Sequence, residues 1–263
     1  MNLQEMLDQA STGTVHVEEG WGQGRATYGG LVGGLMLSAI RAQVPGDPAP
    51  PLRSLTVNFV APVAPGEATA EATILRAGRS ATQAQVTLRQ EGQPAAAALA
   101  AFGAPRESAI AVPSDAVMMP ELPEPESIEP FPAIPGRSPD FFQHVELRLA
   151  DGGFPFSGAR TSHMTGWMRF REAPPVFDER HFVSLADAWP PAVIQMFSGP
   201  TPASSMTWTL ELLDDVTTAP DTHWAYAVHT DRAGDGYSHT HATIWHPDGR
   251  LVAISRQTVA VFG

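Results

Sequence analysis

The chain has 263 residues and 28.1 kDa, 43% of them hydrophobic and 17% charged, which is enough to build one large domain or two smaller ones around a packed core. Sixteen Lys and Arg against 28 Asp and Glu leave a formal charge of −12, so the surface repels phosphate backbones and nucleic acid is not an expected partner. With no cysteine, disulfides, Cys-ligated zinc, iron–sulfur clusters and thiol nucleophiles are all excluded.

The opening MNLQEMLDQA is polar and acidic, without the basic and apolar regions of a signal peptide. No apolar run approaches the roughly 18 residues of a membrane helix, so the expectation is a cytoplasmic protein with no membrane partner. A short strand is predicted at 15–18, near Trp21. Residues 31–42 (LVGGLMLSAIRA) read as an apolar helix opened by Tyr28-Gly29-Gly30. Strands follow at 52–61, 67–77, 81–90 and 94–103, with Glu91-Gly92-Gln93 as a hairpin turn.

From Ala104 to Pro139, nine of 36 residues are Pro and six are acidic. Such a stretch holds neither a helix nor a central strand, so 104–139 reads as an extended surface linker between an N-terminal unit, 1–103, and a C-terminal unit, 140–263. The second unit starts with strands at 144–149 and 160–171 around a Gly-rich loop. A helix at 182–197 (FVSLADAWPPAVIQMF) follows, broken or kinked at Pro190-Pro191. Strands at 204–213, 222–231, 237–246 and 250–262 complete the chain. The order of elements repeats that of the first unit, and small pieces match in the same order: Ser54-Leu55-Thr56 with Ser205-Met206-Thr207, and Arg76-Ala77-Gly78 with Arg232-Ala233-Gly234. The expectation is a tandem repeat of a helix and an antiparallel meander, each preceded by a short leading strand.

Several candidate residues stand out. The glycines of GGLVGG lack the Lys-Ser/Thr pair of a phosphate loop. They suit a helix start lying close against a sheet, with backbone amides free to hold a carbonyl or oxyanion. His239 and His241 share one strand face, but no third ligand is diagnostic, and no metal is expected. No Gly-x-Ser-x-Gly elbow occurs, so a serine-hydrolase triad has no support. Asp187, set among Leu185, Ala186, Ala188 and Trp189, is either a helix cap or a base tuned by apolar neighbours. Gln257 shares a strand face with Ser255 and Val259. Its amide either closes a buried hydrogen bond or serves a site.

The runs TYGGLVGGLMLSAI, LTVNFVAPVAPGE, RAGRSATQAQVTLRQEG, LADAWPPAVIQMF and HPDGRLVAISRQ together resemble the acyl-CoA thioesterase II (TesB-like) family. The resemblance implies an α+β double hotdog: two curved antiparallel sheets, each wrapped around a central helix, joined side by side with their edge strands paired into one continuous sheet. It implies hydrolysis of acyl-CoA or related acyl thioesters without a cofactor, a small-molecule acyl-CoA substrate, and a quaternary state that can be a homodimer. The family's catalytic Asp and Gln fall on Asp187 and Gln257. Its hydroxyl residue meets a departure, since Ala203 stands where the family often has threonine. Ser204 is the nearest substitute, with Ser205 or Thr201 reached by a small shift. In the first unit Gly and Leu stand at the place of Asp187, and Ala97 or Ala100 at the place of Gln257, which implies one catalytic centre per chain. Two rivals remain: a non-catalytic acyl-CoA binding protein, and a hydratase or dehydratase on the same fold.

Overall fold

The computed structural model describes residues 1–46, 48–113 and 117–263. The stretch 114–116 of the predicted linker lies outside the described residues.

Helix α1 (Leu3–Ala10) opens the chain. Asn2 caps it: its side chain accepts from the Glu5 N–H at 2.9 Å, and the Glu5 carboxylate accepts from the Asn2 N–H at 2.9 Å. The polar appearance of this segment hides its buried stripe, Met6, Leu7 and Ala10. Strand β1 (Thr14–Val17) and a small ribbon, β2 (Gly22–Gln23) with β3 (Ala26–Thr27), lead to α2 (Gly29–Arg41). The meander of the first half is β4 (Leu52–Phe59), β5 (Gly66–Ala77), β6 (Ala81–Gln90) and β7 (Gln93–Gly103). Glu91 and Gly92 both take positive φ between β6 and β7, the two-residue hairpin geometry that matches strand twist.

The second half begins with β8 (Val145–Gly152) and β9 (His163–Phe170), then α3 (Glu179–Ala186). Its meander is β10 (Ala203–Leu212), β11 (Trp224–Gly234), β12 (Tyr237–Trp245) and β13 (Leu251–Val261). All eleven long strands form one antiparallel sheet in the order β1-β5-β6-β7-β4-β10-β13-β12-β11-β9-β8. The two sides of this order mirror each other. The first meander strand sits at the seam beside the last, and the leading strand β1 pairs with β5 as β9 pairs with β11. The tandem repeat therefore appears in the topology itself. The halves join through β4 and β10, where the Thr56 and Thr209 hydroxyls are 3.2 Å apart.

As expected, the edge strands of the two halves pair, and the sheet is continuous through β4 and β10. One expectation changes. The helix predicted at 182–197 instead begins at Glu179 and stops at Ala186, with a separate 3-10 turn at Ala192–Met196. The Pro190 ring would clash with the Ala186 carbonyl, four residues back, if the helix continued. Asp187 thus lies at the end of the helix, not near its start.

Helix α2 is apolar all round and packs over β4–β7 on one face of the sheet, while α3 packs chiefly against α2. Their approach is close. A Cβ on Gly34 would fall 1.9 Å from the Ser184 Oγ and 3.2 Å from the Arg180 carbonyl oxygen, so this glycine faces α3 and not the sheet alone. An Arg41–Glu179 ion pair ties the end of α2 to the start of α3.

The linker is more firmly held than a surface connector. Met119, Leu122 and Ile128 pack on Trp167, Ala225 and Trp245, on the sheet face away from the helices. The Trp167 and Trp245 indoles donate to the Pro123 and Val117 carbonyls at 2.9 and 3.0 Å. The chain then rounds the β8 edge, where the Phe131 N–H donates to the Leu147 carbonyl, and buries the Phe131 ring beside Phe142 and Trp189.

Candidate active site

Asp187 is the C-cap residue of α3, with φ −95° and ψ 6°. Its Oδ1 accepts from the Gln257 Nε2 at 2.5 Å, and the Gln257 Oε1 accepts from the Ser205 hydroxyl at 2.9 Å. The Gln amide is thereby oriented at both ends, since only its NH2 can donate to the carboxylate and only its oxygen can accept from the serine. All three residues are half-buried.

The face alternation expected for β13 holds. Ser255 and Val259 are buried, Arg256 is exposed, and Gln257 faces the helices with Ser255. The Ser255 hydroxyl accepts from the Trp208 indole at 2.9 Å, which fixes the inner face of β10 at Trp208. Simple alternation from Trp208 would bring Met206 and Ser204 inward. The β10–β13 register shifts between Ser205 and Thr207, however, so Ser205 pairs with the buried Val259 and Ser204 with Ala260. This bulge turns Ser205 toward Gln257 and leaves Ser204 exposed on the other side. Among the candidate hydroxyls, the structure joins Ser205 to the pair, not Ser204 or Thr201, whose hydroxyl donates to the Gly199 carbonyl.

The other half of the chain completes the surroundings of Asp187. The start of α2 has no side-chain cap of its own. The Asp187 Oδ2 lies there instead, close enough that a Cβ on Gly29 would fall 2.6 Å from it. Glycine is required by this contact, and the helix start, with its unpaired N–H groups and positive dipole end, favours negative charge. Burial raises the Asp187 carboxyl from 3.8 to about 7, with the Gln257 amide and the Gly30 N–H holding it from going higher. Two buried tyrosines, Tyr28 and Tyr226, stand near it. Burial, and then the Asp187 charge, push both phenols well above their ordinary value, so both stay protonated. Tyr28 stacks on Phe141 at 4.2 Å and Tyr226 on Trp189 at 5.5 Å. Neither tyrosine was singled out in the sequence. The only sequence cue to Tyr28 was its place before the two glycines.

The inward positions of β7 are Ala96, Ala98 and Ala100, all buried, so the first half has no counterpart to Gln257. The histidines fall elsewhere. His239 approaches the Thr258 hydroxyl and His246 meets Thr218 and Asp248, while His241 lies beside His229 on the outer sheet face. A hollow of about 330 Å³, lined by residues that include Met206, Arg232 and His239, opens at the β11–β12 hairpin and contains none of the three linked side chains.

The profile for the acyl-CoA thioesterase C-terminal domain matches residues 125–261, and that for the N-terminal domain matches residues 17–103. This chain belongs to the acyl-CoA thioesterase family. Among solved structures, a hot dog fold protein from Alicyclobacillus acidocaldarius is similar at 24% identity over 98% of both chains, with a TM-score of 0.84. The acyl-CoA thioesterase II TesB2 of Mycobacterium marinum is similar at 21% identity over 100% of this thioesterase-family chain and 99% of its own, with a TM-score of 0.76. The tesB protein of Mycobacterium avium subspecies paratuberculosis is similar at 16% identity over 100% of both chains, with a TM-score of 0.78. At these identities the likeness establishes the hot dog fold. No curated protein matches the sequence. Among the described residues, no helix is long and apolar enough to cross a membrane.

Proposed function

We propose that this thioesterase-family chain hydrolyses acyl-CoA or a related acyl thioester to a free acid and a thiol, using water activated by Asp187. The observation that carries the reading is the linked set Ser205–Gln257–Asp187 placed against the start of α2. A carboxyl that titrates at about 7 is ionised often enough at neutral pH to take a proton and basic enough to use it. Asp187 would remove a proton from water as the water oxygen attacks the carbonyl carbon. Gln257, itself held by Ser205, would fix the carboxylate and help aim the water. Amides at the α2 start would stabilise the oxygen that becomes negative. The C–S bond then breaks, the carboxylic acid forms, and the departing sulfur takes the proton from Asp187.

In this reading the chain is a double hotdog. Residues 1–103 and 140–263 are its modules, 104–139 joins them, and α2 and α3 are the two central helices. The polar set comes from the second module, and the first contributes the helix start that faces it. The test is a panel of acyl-CoA substrates of varied chain length with detection of free thiol. Release of thiol in stoichiometric step with free acid supports hydrolysis. Saturable binding without any thiol release would mean a non-catalytic acyl-CoA binding protein.

A further inference from the structure

A second group of potential ligands lies on the opposite face of the sheet. Among the described residues, one set of three metal-ligating side chains converges: His229, Asp231 and His241, whose ligand atoms all lie within 4.8 Å of one another. The topology builds this set. His229 on β11 and His241 on β12 are directly opposed in the register, and their rings are 5.3 Å apart. The same ladder shifts between Thr230 and Arg232, which leaves Asp231 unpaired at a bulge. Its Oδ1 is 2.9 Å from the His229 Nε2. Bulges of this kind re-aim a side chain, and here the bulged residue points at the histidine pair.

We propose that His229, Asp231 and His241 bind a divalent transition-metal ion of the Zn2+ class, separate from the Asp187 site. Two imidazoles with one carboxylate suit zinc, copper or nickel better than magnesium or calcium. Ligand atoms 2.0–2.2 Å from a tetrahedral zinc are about 3.4 Å apart, so the observed spacing needs rotamer shifts of only about 1 Å. Solvent can supply the fourth ligand, because His229 and Asp231 are exposed. Arg256 competes for the carboxylate, with its Nη1 3.9 Å from the other carboxylate oxygen of Asp231, and Oδ1 is left facing the histidines. On the neighbouring pair of the ladder Thr240 faces Gln257 on the inner side. The metal site and the Asp187 site therefore share the sheet but not a face.

The test is calorimetric titration of ZnCl2 into the whole, tag-free chain, with circular dichroism to confirm that each variant is folded. One equivalent of zinc should bind. His229→Ala, His241→Ala and Asp231→Asn should each weaken binding by about tenfold or more. Arg256→Ala should bind at least as tightly as the wild type, and His16→Ala, far away at the sheet edge, should bind equally. Absence of a stoichiometric site, or unchanged affinity in the His229→Ala/His241→Ala double variant, would overturn the proposal. Neither readout depends on turnover, so the result stands whether or not the chain is a hydrolase.

Discussion

A base acts only in its ionised form, and Asp187 carries a carboxyl raised to about 7. Turnover is therefore expected to rise with pH through about 7 and to level off above it, losing about tenfold for each pH unit below. A rate profile that stays flat from acid to neutral pH would assign the limiting ionisation elsewhere. The hydroxyl partner is a second matter at the same scale. Ser205→Ala removes the bond that holds the Gln257 carbonyl oxygen, and a contribution of about 1–1.5 kcal/mol corresponds to a loss of about tenfold in kcat. Ser204→Ala should change nothing, because that side chain faces away from Gln257. Assays of both variants at saturating substrate separate the two serines. Asp187 and Gln257 were legible from residue type and neighbours, with the family resemblance supplying their roles. Ser205 was legible only as an alternative, because a bulge reverses the face of every residue beyond it and one strand read by alternation carries no sign of where its partner slips.

Elements were readable where periodicity and breakers agreed. The alternation of β6 and the Glu91-Gly92 turn survive almost unchanged, and the prolines marked the break after Asp187. The helix boundary was misread because Phe182 begins the apolar run, while the first turn is set by the polar capping box of Asp178 and His181. The glycines of α2 show how packing partners escape the sequence. Their small size signalled a close approach, but not that the neighbour at Gly34 would be α3. Gly34→Val should therefore force the helices apart and destabilise the chain by about 1–3 kcal/mol or more, read as a fall in Tm. A Ser184→Gly change in the same chain should recover part of the loss, since the Ser184 Oγ is the nearest atom met. No recovery would place the strain on the Arg180 carbonyl instead.

Over the whole molecule, one sheet joins the halves, helices cover its inner face and the linker crosses its outer face. The proline count speaks against a helix or central strand in this stretch but carries no sign of its anchorage, which comes from distant indoles and from a charged cluster. Glu146 sits at the centre of that cluster, with Arg148, Arg169 and His223 at 2.8, 3.1 and 3.3 Å. Arg148 in turn donates to the Pro125 and Ile128 carbonyls of the linker at 2.8 Å each. Burial would raise the Glu146 carboxyl, but the Arg148 hydrogen bond, the Arg169 charge and the His223 contact outweigh it and bring the carboxyl from 4.5 to about 2. Its contribution to stability is thus present above about 4.5 and lost as the pH falls toward 2. Glu146→Gln should cost on the order of 3 kcal/mol at neutral pH and loosen the linker, seen as faster proteolysis within 117–128. An unchanged Tm with unchanged proteolysis would show that the indoles hold the strap alone.

The most direct measurement is the comparison of Asp187→Asn with the wild type on one good acyl-CoA substrate, alongside their thermal stabilities. The expected kcat is lower by about 10²–10⁴-fold. The variant should also be more stable than the wild type, and more so at pH 8 than at pH 5. A carboxyl raised from 3.8 to about 7 contributes stability that is full below 3.8 and is lost as the pH rises through 7, on the order of 4 kcal/mol at about 1.4 kcal/mol per pKa unit. Lost turnover with gained stability would mark Asp187 as a base held in place for function. An Asn variant that releases thiol at the wild-type rate would show that Asp187 is not the base.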